Sequence, residues 1–423
     1  MPLFYSAIIL LTLLGLPLFL ALFGLAGLGL QQQGVDFQVL LIDLYRITDS
    51  GILLALPLFA FTGFLLSEAN TGQRMIRLSK AVLGWMPGGT MLICLLCCAF
   101  FTMLTGGSGV TILALGGLLL PVLRQSGFSE RFSLGLITSA GSLGLLLAPA
   151  IPLILYAVIV QQTNLVQLDM QQLFIAGITP ALLMIAALYG YGLYQGRGQA
   201  AELQPFDLAE LAASFKAGFF ELMIPVIVLG GIYSGLLVIS EAAAVTALYV
   251  LIIELFVYRD LNGRKLLHAT RESLVMVGSI LLILGAALAF TTFLIDIQLP
   301  MQLVEWLDSH IQHPLLFLLL LNIMLLLMGA FLDIFAAIVI LVPLILPLAL
   351  NFGIDPIHLG IIFIANLQLG YFTPPVGMNL FIASYRFGKP IEVLYRASLP
   401  FFFVLLGVLL LITYVPAISL WLL

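Results

Sequence analysis

Charge is what this sequence has least of. Asp, Glu, Lys and Arg make up 8% of its 423 residues, against 62% hydrophobic residues. A soluble domain has about 25% charged residues. This chain therefore cannot cover a water-facing surface, and its mean hydropathy of +1.21 places it in lipid. Short alternating strands are also missing, which excludes a β-barrel. Cysteine is scarce: Cys94, Cys97 and Cys98 share one apolar segment, where they read as packing residues rather than a metal or redox pair. There is no His-Glu-x-x-His, no cluster of paired aspartates and no nucleophile beside a base, which argues against an intramembrane enzyme. The net charge of −5 argues against a nucleic-acid partner. The run Leu3–Leu30 lacks a basic n-region and a cleavage-like site. It also exceeds the about 7–15 apolar residues of a signal peptide, so it is expected to be the first span.

What is present is a series of long apolar runs. Single spans are expected at Ser50–Glu68, Phe132–Val160, Leu173–Tyr194, Ala217–Ile239, Ala242–Tyr258, Ser273–Ile295, Ile357–Tyr385 and Val393–Leu423. Two blocks, 85–124 and 314–350, are too long for one span and are interrupted near their middles. The basic residues decide how these cross. If each interrupted block enters and leaves on one side, fourteen of the fifteen Lys and Arg fall on the side of the N-terminus, and Arg46 alone falls opposite. The loops with Asp36, Asp43, Asp169, Asp296, Glu305, Asp308 and Asp355 then lie opposite too. Cytoplasmic loops are the basic ones. The expected protein is thus a multi-pass inner-membrane protein with a cytoplasmic N-terminus, a periplasmic C-terminus and two re-entrant hairpins. Trp85 and Trp306 suit interfacial anchors, and His310 and His313 with Asp308 a solvated outer loop.

The chain also repeats. Leu134-Gly135-Leu136-Ile137 resembles Leu359-Gly360-Ile361-Ile362, an offset of 359 − 134 = 225. The same offset brings Pro149 onto Pro374, Ser108 onto Asp333, and one interrupted block over the other. Each repeat holds an even number of crossings, so the extra span Ala217–Ile239 makes the second copy inverted. The expected organisation is a first repeat at 1–196 with hairpin 85–124 and broken helix 132–160, then a linker and extra span at 197–240. A second repeat at 241–423 has hairpin 314–350 and broken helix 357–385. Inverted repeats with broken helices mark secondary transporters with a midplane site.

Four helix breaks converge in this scheme: "LTGGSG" (Leu104 to Gly109), "SAGSLGLLLAPAIP" (Ser139 to Pro152), "MGAFLD" (Met328 to Asp333) and "LGYFTPPVGMN" (Leu369 to Asn379). Thr373 and Pro374 each precede a proline, which biases both away from helix. A break frees carbonyls on one half-helix and N–H groups on the other. Carbonyls and hydroxyls suit Na⁺, and helix N-termini suit an anion. Asp333 lies inside an apolar hairpin, where a carboxylate is a functional candidate. It also suits an N-cap, as Ser108 would in the first hairpin. Glu221 and Glu254 lie near inner span ends, where Lys216 and Arg259 are expected partners.

"GGSGVTILALGGLLLP", and the run from "GAFLDIFAAIVILVPLILPLALNF" through "GYFTPPVGMNLFIAS", resemble the large membrane subunit of TRAP transporters, the tripartite ATP-independent periplasmic family. Arg74-Met75-Ile76-Arg77 and Gly84-Trp85-Met86-Pro87-Gly88-Gly89 are similar to it as well. The resemblance implies an all-α polytopic fold of the elevator-type ion transporter superfamily, with two inverted repeats. It implies Na⁺-driven symport of a C4-dicarboxylate or similar small carboxylate. It also implies a small membrane subunit, expected as a separate chain, and a periplasmic solute-binding protein. Na⁺ site one falls on Thr105, Gly106, Gly107 and Ser108 with Gly144 and Pro149; site two falls on Gly329, Asp333, Thr373, Pro374, Val376 and Gly377. Substrate contacts are implied at Ser108, Gly109, Ala150, Gly377 and Asn379. The family's first break often reads Pro-Pro-Ser, where this chain has Ala148-Pro149-Ala150, so a hydroxyl is missing near the first site. A stand-alone divalent-anion symporter of the same superfamily, needing no binding protein, is the alternative.

Overall fold

Apolar runs in this chain become helices because lipid leaves backbone groups no partner but each other. The computed structural model describes residues 14–32, 51–196, 206–299 and 313–423, with isolated positions at 8, 10–12, 38, 42, 301, 302, 305 and 311. Arg46, Asp36, Asp43, Arg197, Trp306, Asp308 and His310 lie outside the described residues. Among the described residues the regular structure is entirely helical, and seven helices, or nine with two bent pairs, are long and apolar enough to span a membrane.

The first group is α1 (Leu18–Gln32), α2 (Ala55–Glu68) and α3 (Thr71–Leu83). The first hairpin is α4 (Gly89–Thr105) and α5 (Ser108–Gln125), followed by α6 (Glu130–Ala140), a tight 3₁₀ turn at Leu143–Leu146 and α7 (Ile151–Gln162). Next come α8 (Met170–Ala176), α9 (Ile178–Gln195), α10 (Leu208–Ala217), α11 (Phe219–Tyr233), α12 (Ile239–Ile252, running into a wide turn at Ile253–Val257) and α13 (Gly263–Asp296). The second hairpin is α14 (Pro314–Phe331) and α15 (Ile334–Asn351), followed by α16 (Pro356–Gly370), α17 (Met378–Phe387), α18 (Ile391–Tyr414) and α19 (Ala417–Leu420).

Both interrupted blocks are helix–break–helix units, as the sequence suggests. The expected span Ser273–Ile295 instead starts ten residues earlier as the 34-residue α13. The extra span is bent by 62° between α10 and α11. The repeat offset also sharpens. Over the returning hairpin arms it is 334 − 108 = 226, carrying Ser108–Gln125 onto Ile334–Asn351 and Pro121 onto Pro347. The N-caps of those arms are therefore Gly107 and Asp333.

The packing exchanges elements between the halves. The returning arm α5 packs on α17 of the second broken helix, and its counterpart α15 packs on α7 of the first. Each leading arm, α4 or α14, lies against the broken helix of its own half. Glycine permits this closeness. A Cβ on Gly370 would stand 2.6 Å from the Gly329 backbone, and one on Gly144 would strike the backbone of Ala99 and Met103 in α4. The three cysteines are buried in α4. Trp85 is half-exposed at the base of the first hairpin.

Candidate functional site

The exchanged packing gathers both hairpin tips and both broken helices. At the first tip, Gly106 ends α4 in the left-handed region (φ +64°), a conformation that L side chains resist. Thr105, Gly106 and Ser108 are buried, and Ile151 of α7 packs on Gly106. The Thr105 hydroxyl donates to the Gly107 carbonyl at 3.3 Å. Thr102 Oγ1 donates to the Gly141 carbonyl (2.7 Å), so at its other contact, also 2.7 Å, Thr111 is the donor. These hydroxyls bind the hairpin to the first break. Gly144, Pro149 and Ala150 are buried beside it. The peptide before Pro149 is cis.

Ser108 is not the cap of α5. Gly107 holds that position, and the Ser108 hydroxyl turns away and donates to Asn379 Oδ1 at 2.7 Å. The capping expectation fails because Ser108 already has helical backbone, where its short side chain projects sideways. Asn379 Nδ2 reaches the Thr138 carbonyl in α6 at 3.4 Å. Two expected substrate-contacting residues are thus bonded to each other.

At the second tip Asp333 does cap its helix: Oδ1 accepts from the Ala336 N–H at 2.8 Å. The Ile334 N–H donates to the Tyr371 hydroxyl at 2.9 Å. The Gly377 N–H donates to the Ala330 carbonyl at 3.0 Å, and Gly377 has φ +52°, again glycine's region. Thr373 Oγ1 donates to the Leu369 carbonyl at 2.7 Å. Pro374, Pro375 and Val376 are exposed, whereas the first break is buried nearly throughout. The first break thus lies against α4 through Gly144, and the second against α14 through Gly329 and Gly370 and the Gly377–Ala330 bond; the first break is enclosed and the second partly open. Around both tips the available ligands are carbonyl and hydroxyl oxygens with one carboxylate, a hard-oxygen set of the kind that unwound transporter helices offer to Na⁺.

Several partners were not anticipated. Thr102, Thr111 and Tyr371 stitch the tips, and their only sequence signal is polarity beside a break. A second buried polar group joins Asn322, Asn366, Thr413, His358 and Ser419 across α14, α16, α18 and α19. It reads as interhelical glue. Asn366 Oδ1 and Gln368 Oε1 are buried without a hydrogen-bond partner.

Charge is concentrated elsewhere. Arg74 of α3 pairs with Glu221 of α11, with Glu254 at 3.2 Å and with Asp260 at 2.6 Å, and lies over the Tyr258 ring at 3.8 Å. Arg74, not the expected Lys216 or Arg259, is the cation that pairs with these carboxylates. Burial pushes the Asp260 carboxyl up, but the Arg74 guanidinium and the Asn70 N–H groups outweigh it and hold it below the usual carboxylate range.

The comparisons agree with this geometry. Residues 5–418 match the model of the tripartite ATP-independent periplasmic transporter, DctM component. The chain is 36% identical over 382 residues to the C4-dicarboxylate TRAP transporter large permease protein DctM of Pseudomonas aeruginosa, covering 90% of this chain and 88% of that one. It is 35% identical over 375 residues to the isethionate TRAP transporter permease protein DctMQ of Oleidesulfovibrio alaskensis, covering 88% of this chain but 58% of that longer one. The YdaH transporter of Alcanivorax borkumensis, solved as a crystal structure of unusual topology, shares the fold. Its TM-score is 0.61 at 18% identity, over 89% of this chain and 87% of that one. With a family model over nearly its whole length and its helices long enough to cross a membrane many times, the chain belongs to the DctM family, the large membrane component of tripartite ATP-independent periplasmic transporters.

Proposed function

We propose that this permease carries a small organic anion across the bacterial inner membrane by Na⁺-coupled symport, with the basic side of the chain in the cytoplasm. The observation that carries the reading is the convergence of two hairpin tips on two unwound helices, where carbonyls and hydroxyls are freed in an apolar interior. Thr105, Gly106, Gly107 and Ser108 with Gly144 and Pro149 form the first Na⁺ site. Gly329, Asp333, Thr373, Pro374, Val376 and Gly377 form the second. The half-helix N-terminus of α5 offers N–H groups to the anion, whereas at α15 those of Ile334 and Ala336 are taken by Tyr371 and Asp333. Gly109, Ala150, Gly377 and the Ser108–Asn379 pair border that region. The hairpins and broken helices move as one body against α1, α2, α12 and α13 in an elevator-like stroke, with both the moving part and the scaffold drawn from the two repeats, 1–196 and 241–423.

A C4-dicarboxylate is the first substrate to test, since one relative is named for it; isethionate, named for another, is the second. Both are anions, and the site contains no arginine to fix a carboxylate, so selectivity rests largely with the periplasmic solute-binding protein. A small membrane subunit completes the assembly. The longer DctMQ relative leaves room for that subunit on the same chain in some members, so it is sought here both as a separate protein and as a fused one. The test is uptake into proteoliposomes with and without binding protein, small subunit and a Na⁺ gradient. Saturable uptake that needs all three supports the reading. Uptake by this chain alone favours the stand-alone symporter, and uptake indifferent to Na⁺ refutes the coupling.

A further inference from the structure

One segment, from Tyr371 to Asn379, touches both hairpin tips at once. The Ser108 hydroxyl of the first hairpin donates to Asn379 Oδ1 at 2.7 Å. The Asn379 N–H donates to the Tyr371 carbonyl at 2.9 Å. The Tyr371 hydroxyl in turn accepts from the Ile334 N–H, the first of the returning arm of the second hairpin, at 2.9 Å. Ser108, Tyr371, Asn379 and Ile334 are all buried. A parallel strap, Gly377 N–H to Ala330 carbonyl, ties the same segment to the leading arm of that hairpin.

We propose that Tyr371 and Asn379 are positioning residues that couple the two tips, so that a cation at one site raises the affinity of the other. This rests on the two-site reading above. The carbonyls assigned to the second cation, from Thr373 to Gly377, lie inside the loop that Tyr371 and Asn379 close. Drawing those carbonyls onto a cation fixes the loop, and fixing the loop fixes both of its ends. One end holds Ser108, and so the first tip; the other holds Ile334, and so the second. The links exclude water, where a chain of hydrogen bonds is stiff and its members strengthen one another. Tyr371 is well suited to this. Asp333 already caps the Ala336 N–H, so the tyrosine supplies the partner for a different orphan donor of the same helix end. A phenylalanine there keeps the packing and loses only that link. Coupling of this kind is reciprocal by thermodynamic necessity.

The test is the Na⁺ dependence of uptake by the assembled transporter in proteoliposomes at saturating substrate. Two coupled sites give the wild type a Hill slope of about two, and Tyr371→Phe brings it to about one. The substrate concentration for half-maximal uptake at saturating Na⁺ stays unchanged. Ser108→Ala, cutting the chain at its other end, gives the same flattening. The double variant is no worse than either single one, because each change breaks the same path. A wild-type slope in Tyr371→Phe, or effects that multiply in the double variant, overturns the coupling while leaving two independent sites intact. A wild type without Na⁺ dependence overturns the two-site reading and the coupling with it. Melting curves of the solubilised variants accompany each measurement; because Ser108 also belongs to the proposed first site, its flattening counts for the coupling only together with the same flattening in Tyr371→Phe, or in Tyr371→Leu where Tyr371→Phe does not fold.

Discussion

Two buried polar regions of this molecule are built on opposite plans. Around Arg74, one guanidinium meets three carboxylates from three separate segments, and two of those carboxylates, Glu221 and Glu254, are fully buried. Around the hairpin tips the polar groups are hydroxyls, amides and backbone, with Asp333 the one carboxylate. The first region spends charge on holding α3, α11, α12 and the start of α13 in a fixed relation. On the function proposed above, the second releases a cation and an anion on every cycle. Fixed opposite charges hold their partners too tightly and cost too much to desolvate for such turnover, whereas carbonyls and hydroxyls bind while remaining exchangeable.

The comparison breaks first at Arg74. Arg74→Ala leaves buried carboxylates uncompensated, and the expected cost is about 3–5 kcal/mol of stability. A thermal melt in detergent measures it. Adding Glu221→Gln and Glu254→Gln to the same chain recovers most of the loss, because the uncompensated charges are then gone. The pH dependence has a definite sign. The Asp260 carboxyl sits below its unfolded value of about 3.9, so its contribution is present above that pH and lost as the pH falls through the lower folded value. Wild-type melting therefore drops in acid below about pH 4, and Asp260→Asn flattens that drop.

The next largest effect is steric. Gly370→Ala and Gly144→Ala both drive a methyl into a neighbouring backbone that cannot move aside. Each is expected to cost about 1–3 kcal/mol or more and to abolish uptake. Equal damage at the two positions, which the offset of 226 relates, supports the repeat of a leading arm packed on the broken helix of its own half. A benign Gly144→Ala would break it.

How far the sequence reaches differs between the two regions. The hairpins and both broken helices follow from apolar length, proline and glycine placement and the basic-residue map, all local or additive signals, while the pairing of each tip with a break is implied by the family resemblance. Asp333 as a cap follows from a carboxylate beside a break. The Ser108–Asn379 bond does not, because its partners lie 271 residues apart and a one-residue change in repeat offset moves Ser108 off the cap. The Arg74 cluster is hidden for the same reason. Its acids are visible in sequence, but the nearest cations in the chain are not the nearest in space.

Within the site, Thr373→Val and Gly107→Ala sharpen the contrast with Arg74. Each is expected to weaken Na⁺ activation of uptake by about tenfold, the factor equivalent to 1.4 kcal/mol. Neither should change melting. Gly107 has φ −125°, and its added Cβ would meet the end of the Val110 side chain at 3.3 Å and the end of Met276 at 3.9 Å, both side chains rather than backbone. Wild-type Na⁺ activation in both variants removes these residues from the ion sites.

The smallest effect separates the two roles open to Asp333. Its Oδ1 accepts from the Ala336 N–H, and an asparagine oxygen caps a helix about as well as an aspartate oxygen does. Asp333→Asn should therefore melt within a few tenths of a kcal/mol of wild type, while Asp333→Ala loses about 1 kcal/mol. If the carboxylate only holds the turn, Asp333→Asn keeps its Na⁺ activation, and the hairpin site works with a single cap and neutral oxygens. If its charge meets the ion, Na⁺ activation weakens in Asp333→Asn although melting does not. That result would place one fixed charge in a region otherwise built without any, and would narrow the contrast with Arg74 to a difference of number rather than of kind.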